Sequence, residues 1–194
     1  MEWRIGISGT PSKNFSKKFE KPLDKPPEVW YNKTTETKGR NKKMLKMICF
    51  DMDGTIADLY AVPNWLNDLR NENPTPYEKA KPMWDMERLA NALIALGVEI
   101  RIISWLSKDS SEQYKDEVRK AKIEWLKEQG FPFDKFHGVQ YGATKADSVR
   151  KYLGEGETAI LVDDNAKVRS GWSLGGTIDP TAVDLCEYFE RMAG

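Results

Sequence analysis

Asp51 and Asp53 stand one residue apart at the end of an apolar run, Met47-Ile48-Cys49-Phe50, and Gly54 and Thr55 follow them. The run has the length and apolarity of a strand buried on both faces. Such a strand delivers its two carboxylates to the edge of an open α/β sheet where ligands bind. Acids so placed repel each other unless a cation lies between them, and hard oxygen donors in phosphate company suit Mg2+. Gly54 permits a sharp turn, and Thr55 reads as steadying it. The competing reading of this segment is an acidic turn that only closes a core strand.

Other strand patterns end in compatible residues. Val98–Ile103 runs into Ser104, Thr158–Val162 runs into Asp163 and Asp164, and Lys145 opens a helical pattern after Gly142-Ala143-Thr144. In a parallel sheet all strand C-termini share one edge, so Asp51, Asp53, Ser104, Asp163 and Asp164 would converge there. Lys145 would add a mobile cation beside free backbone N–H groups. Four acids, a hydroxyl and a lysine are what phosphoryl transfer through a carboxylate needs. Each also has a structural alternative. Ser104 could be a turn residue. Lys145 could be a solvated first-turn residue, although lysine is disfavoured near a helix N-terminus without an anion. Asp163-Asp164-Asn165 could cap a helix, which accounts for one acid but not two. His137, the single histidine, reads as structural, and with two separated cysteines it does not suggest a zinc site.

The elements that must position these groups alternate from residue 47 onward. Phe136–Tyr141 and Gly176–Ile178 complete five strand patterns. Asp85–Leu96 is a helix capped by Asp85 and closed by Gly97, with Met86, Leu89, Ala90, Leu93 and Ile94 on one face. Ser111–Gln129 is the longest helix, with Ser110 and Gln113 as a capping box and Tyr114, Val118, Ala121 and Trp125 as its buried stripe. Lys145–Leu153 has Thr144 and Asp147 as its capping pair, and Pro180–Met192 is the last helix. The alternation predicts an α/β fold, a three-layer α/β/α Rossmann-like parallel sheet. Residues 57–84 break the pattern with four prolines, one short helix at Asn64–Arg70, and Tyr60, Trp65, Tyr77 and Trp84. Inserted after the acidic turn, they predict a small helical lid over the strand ends. Its aromatics would either form the lid's own core or stack on a nucleobase.

The chain has 194 residues and zero formal net charge, enough for one domain with a real core and no overall bias toward a charged partner. Residues 1–46 differ from the rest, with 12 Lys+Arg against 5 Asp+Glu, clustered prolines and no sustained apolar period. They read as an extended or disordered extension, with a weak strand pattern at Trp3–Ile7. The segment is either a dispensable tail, an upstream extension of the reading frame before Met44 or Met47, or a basic arm for nucleic acid. Residues 47–194 form the domain proper. Two separated cysteines point to a reducing cytoplasm, and the sequence carries neither a membrane-length apolar stretch nor a secretion signal.

The order Asp51-x-Asp53-Gly54-Thr55, strand-Ser104, Lys145, Asp163-Asp164 resembles the haloacid dehalogenase superfamily of phosphohydrolases, over about residues 47–192. The lid, and Lys122-x-x-Trp125-Leu126 before the third strand, resemble the 5'(3')-deoxyribonucleotidase branch. The pattern is also similar to the 3'-phosphatase domains of polynucleotide kinase-phosphatases and to small phage and bacterial members. The resemblance implies Asp51 as nucleophile, Asp53 as general acid and base, Ser104 as a phosphoryl contact and Lys145 as a bridge from Asp51 to the phosphoryl group. It implies Mg2+ held by Asp51, the Asp53 carbonyl and Asp163, with Asp164 as an outer or alternative ligand. The expected activity is hydrolysis of a small phosphorylated metabolite, with a nucleoside monophosphate leading. Alternatives are a 3'-phosphatase acting on DNA or RNA ends and a non-catalytic nucleic-acid-binding protein led by the basic arm.

Overall fold

The computed structural model describes residues 43–194; the expectations for residues 1–42, including the strand at Trp3–Ile7 and most of the basic extension, lie outside the described residues. The acidic turn closes β1 (Met44–Phe50). The lid follows, as β2 (Ala57–Asp58), a 3-10 turn at Leu59–Ala61, α1 (Trp65–Arg70), α2 (Thr75–Lys79) and β3 (Lys81–Pro82). The domain continues through α3 (Met86–Leu96), β4 (Glu99–Leu106), α4 (Glu112–Glu128), β5 (Lys135–Gln140) and α5 (Lys145–Arg150). It ends with β6 (Glu157–Val162), α6 (Ala166–Ser170), β7 (Thr177–Ile178) and α7 (Leu185–Ala193). The main sheet has the order β5-β4-β1-β6-β7, and every pairing in it is parallel. β1 therefore lies between β4 and β6, the point at which the winding direction reverses and where open α/β sheets bind ligands.

Side-chain alternation along the strands sorts the core into two layers. Ile48 and Phe50 of β1, Ile100 and Ile102 of β4, and Ile160 and Val162 of β6 pack with α3, α4 and α7. Met47, Cys49, Ile103, Ala159 and Leu161 pack on the opposite face with Ala146 and Val149 of α5. This is the expected three-layer α/β/α Rossmann-like sandwich. Among the described residues, no helix is long and apolar enough to cross a membrane.

Several local expectations change. The capping residue of α4 is Ser111 rather than Ser110: Ser111 Oγ accepts from the Tyr114 N–H at 3.2 Å, and Gln113 bonds Glu117 instead of reaching back. Thr144 precedes α5 without a side-chain cap, while Asp147 pairs with Arg150. The last helix begins at Leu185, capped by Asp184, and not at Pro180. Asp179 Oδ1 accepts from the backbone and hydroxyl of Thr181, and this local turn competes with helix over 180–183. In α3, Ala92 takes the buried place assigned to Ile94, which is 65% exposed. The lid contains a two-stranded antiparallel ribbon in addition to its helices.

His137 on β5 is structural in a specific way. Its Nε2 lies 3.2 Å from Nη1 of buried Arg101, a donor-only group, so the bond requires a neutral acceptor nitrogen. Arg101 is itself held by Glu99 and stacks on Tyr152 at 3.7 Å. Burial, then Arg101, Lys135 and Lys151, lower the His137 pKa against a smaller opposing effect of Glu99. The folded form thus binds a proton less readily than the unfolded chain. Stability conferred by neutral His137 is complete above the ordinary histidine pKa and is lost as pH falls through the lowered one. Urea titrations of wild type and His137→Gln from pH 7.5 to 5 are expected to show a shallower acid decline in the variant. Parallel declines would remove His137 from the acid response.

Candidate active site

The alternation that layers the core also divides the site. Asp51 and Asp163 extend the Cys49 and Leu161 face, over which α5 places Lys145. Lys145 Nζ donates to Asp51 Oδ1 at 2.5 Å and to Asp163 Oδ2 at 2.7 Å, and all three residues are buried. Carboxylate oxygens of Asp51, Asp163 and Asp164 lie within 4.8 Å of one another. Of the groups expected to converge, Asp51, Asp163, Asp164 and Lys145 meet here, brought by the ends of β1 and β6 and the start of α5.

Ser104 extends the Ile102 face toward α4. There the structure adds a group that the sequence reading did not place in the site. Lys122 Nζ donates to Ser104 Oγ at 2.7 Å and to Asp53 Oδ2 at 2.5 Å, and the lysine is fully buried. It also lies 4.5 Å from the centre of the Tyr77 ring. The available signal was its position: Lys122 falls one residue after Ala121 and three before Trp125, on the buried stripe of α4. A lysine on such a stripe needs a buried partner. Asp53 Oδ1 is buried without a protein partner, so this carboxylate keeps one oxygen available. The Asp53 carboxylate is thus held by Lys122 and stands apart from the three-acid cluster, while its carbonyl accepts from Tyr60 at 3.4 Å.

The turn itself is locked. Gly54 has φ +79°, a conformation that favours glycine, and a Cβ there would press on the Tyr60 ring and the Asp164 carboxylate, which would have to shift. Thr55 Oγ1 accepts from the Asp164 N–H at 3.1 Å, tying the turn to the end of β6. Arg169 donates to the Asp163 carbonyl at 2.6 Å and pairs with Asp179.

The lid aromatics mostly serve packing. Tyr77 is buried with Leu59, Leu106, Tyr114, Val118 and Ala121, and Trp65 packs against that cluster. Trp84 donates to the Thr55 carbonyl at 2.7 Å. Tyr60 remains half exposed. At the lid's tip, Glu72 accepts from Ser111 N at 2.7 Å and Ser111 Oγ at 2.6 Å, fastening the lid to the start of α4.

Electrostatics follow from crowding. Burial, then repulsion from Asp51, raises the Asp163 pKa to about 6 against the pull of Lys145. Asp164 is raised by burial and by Asp51. Asp53 is raised by burial, with Lys122 opposing and Asp51 reinforcing. Burial alone would lower Lys145, but Asp51 and Asp163 outweigh it and raise the value. With every group ionised, four carboxylates meet two ammoniums, an excess of two negative charges. The donor set is hard oxygen throughout, and its excess matches a divalent cation. The residues present fit Mg2+.

No protein-family model and no curated protein matches the sequence. Solved structures do. A chain of the Pnkp1/Rnl/Hen1 RNA repair complex superposes with TM-score 0.50 at 13% identity, covering 80% of this chain and 46% of that one. This chain therefore spans about half the length of that relative. The likeness shows a shared fold. A provisionally assigned HAD-like phosphatase from Mesorhizobium loti gives TM-score 0.41 at 15% identity, over 76% of this chain and 87% of that one. D,D-heptose 1,7-bisphosphate phosphatase from Burkholderia thailandensis gives 0.41 at 11%, over 76% and 97%.

Proposed function

We propose that the protein is a Mg2+-dependent phosphomonoester hydrolase acting through an aspartyl-phosphate on a small phosphorylated metabolite, with a nucleoside monophosphate as the leading substrate. The observation that carries this reading is the Lys145 ammonium bound to both Asp51 and Asp163 at the sheet's switch point, beside the Lys122–Asp53–Ser104 triad. Mg2+, held by Asp51 and Asp163 with Asp164 adjacent, would neutralise charge on the phosphoryl oxygens.

The chain's own residues would do the rest. An Asp51 oxygen attacks phosphorus while the bond to the leaving oxygen breaks. Asp53, whose pKa burial raises, gives that oxygen its proton from the end free of Lys122. The resulting carboxylate then takes a proton from the water that cleaves the Asp51–phosphorus bond. Lys145 offsets the charge that grows on the phosphoryl group beside Asp51. Ser104, oriented by Lys122, donates to a phosphoryl oxygen.

A second reading, removal of 3'-phosphates from DNA or RNA ends, draws support from the likeness to a chain of an RNA repair complex and from the basic composition of residues 1–46. Nucleoside monophosphates, sugar phosphates and 3'-phosphorylated oligonucleotides, each assayed with Mg2+ and with EDTA, separate the two. Hydrolysis of none of them would overturn both. Nucleic-acid binding by the full chain, measured across salt with and without residues 1–46, tests the basic arm.

Metal binding has its own readout. Millimolar Mg2+ is expected to raise the melting temperature of the wild-type protein, because it binds the folded cluster and not the open chain. Asp163→Asn is expected to remove most of that rise. An equal rise in both proteins would place the ion elsewhere.

A further inference from the structure

We propose that Trp105 and Tyr141 form the subsite that takes the nucleobase of a nucleoside monophosphate, an inference that rests on the phosphohydrolase reading above. Trp105 follows Ser104 at the end of β4, and Tyr141 follows the last residue of β5, so both stand on the edge where the acids gather. Their ring centroids lie 4.7 Å apart at an interplanar angle of 58°. Strand alternation turns Trp105 to the Ile103 face, the face of Asp51 and Lys145. Lys145 Nζ lies 5.3 Å from the Trp105 ring centre and 2.5 Å from Asp51. The indole thus lies beside the ammonium that holds the nucleophile.

Neither ring belongs to a buried apolar cluster, and Tyr141 is 63% exposed. Core packing accounts for Tyr77, Trp84 and Trp65, yet it leaves this pair unexplained. The Trp105 N–H donates to the Ala143 carbonyl at 3.2 Å, which fixes the ring and consumes its polar atom. What remains for a ligand is a π surface. Such a surface selects planar rings by stacking and tolerates any base, because every nucleobase presents a flat face. An aliphatic sugar phosphate gains nothing there beyond its phosphate.

Calorimetric titration of the full-length Asp51→Asn protein in Mg2+ with adenosine 5'-monophosphate and with ribose 5-phosphate tests this without turnover. The nucleotide is expected to bind at least about tenfold more tightly, the scale of one stacked base. In the same background, Tyr141→Ser and Trp105→Leu are each expected to narrow that ratio severalfold. Equal affinities in the parent, no binding of either ligand, or a ratio that survives both substitutions would overturn the subsite. If Trp105→Leu fails to fold by circular dichroism, Tyr141→Ser decides, since its ring is exposed. Tighter binding of a 3'-phosphorylated oligonucleotide than of the mononucleotide would overturn the mononucleotide assignment. Selective nucleotide binding alongside a wild-type protein that turns over no phosphomonoester would sink the hydrolase reading alone.

Discussion

Asp51→Asn is expected to cut hydrolysis of p-nitrophenyl phosphate by about a thousandfold or more while the protein stays folded, since removal of a covalent nucleophile leaves only binding and electrostatic effects. The amide keeps the shape of the carboxylate but cannot attack phosphorus as an anion. Folding should survive because Asp51 adds repulsion to the site: its charge raises the pKa values of Asp53, Asp163 and Asp164. Losing it relieves repulsion among the acids at the same time as it strips Lys145 of one partner. Circular dichroism and a urea titration alongside the assay separate the two effects. Wild-type turnover by the variant would exclude Asp51 as nucleophile, and an unfolded variant would make its role structural.

The largest effect on stability is expected from Lys122→Met. Methionine fills a similar stem volume beside Tyr77 but removes the ammonium that pairs with Asp53. A buried carboxylate left without its partner typically destabilises a fold by about 3–5 kcal/mol. The sign with pH follows from the Asp53 pKa, which burial already raises and which the loss of Lys122 would raise further. A raised acid pKa contributes stability that is complete below the unfolded value and disappears as pH rises through the folded one. The deficit of the variant should therefore be largest at pH 7.5 and shrink at pH 5. Urea unfolding at the two pH values measures this. An equal deficit at both would mean that the lysine acts through the packing of its stem.

The contrast between the two lysines shows how much of the site was legible. Lys145 could be read because it opens a helix directly after a turn, a place where a cation is otherwise unfavourable. Lys122 sits in the middle of a long helix rich in charge, where one lysine resembles another. Its place in the site appears only once Trp125 and Ala121 fix which face of α4 is buried and Ser104 and Asp53 are found beneath it. The boundary of α7 was hidden for a related reason. A proline suits a helix's first turn, but Asp179 diverts the same residues into a turn through bonds to Thr181.

Chain chemistry alone indicated the layered architecture, because the apolar runs of β1 and β6 are buried on both faces, stop at Asp51 and Asp163, and alternate with helical patterns. It also placed the two acid pairs at strand ends and Lys145 at a helix start between them, whereas the nucleophile's role was implied only by the resemblance. Tertiary structure decided which groups actually touch: that Lys145 spans Asp51 and Asp163, that Lys122 claims Asp53, and that Tyr77, Trp65 and Trp84 pack inward while Trp105 and Tyr141 stay at the edge. Strand periodicity is a local property and is written into neighbouring residues. Pairings between residues 18 to 94 positions apart depend on how the helices seat on the sheet, and no local pattern encodes that.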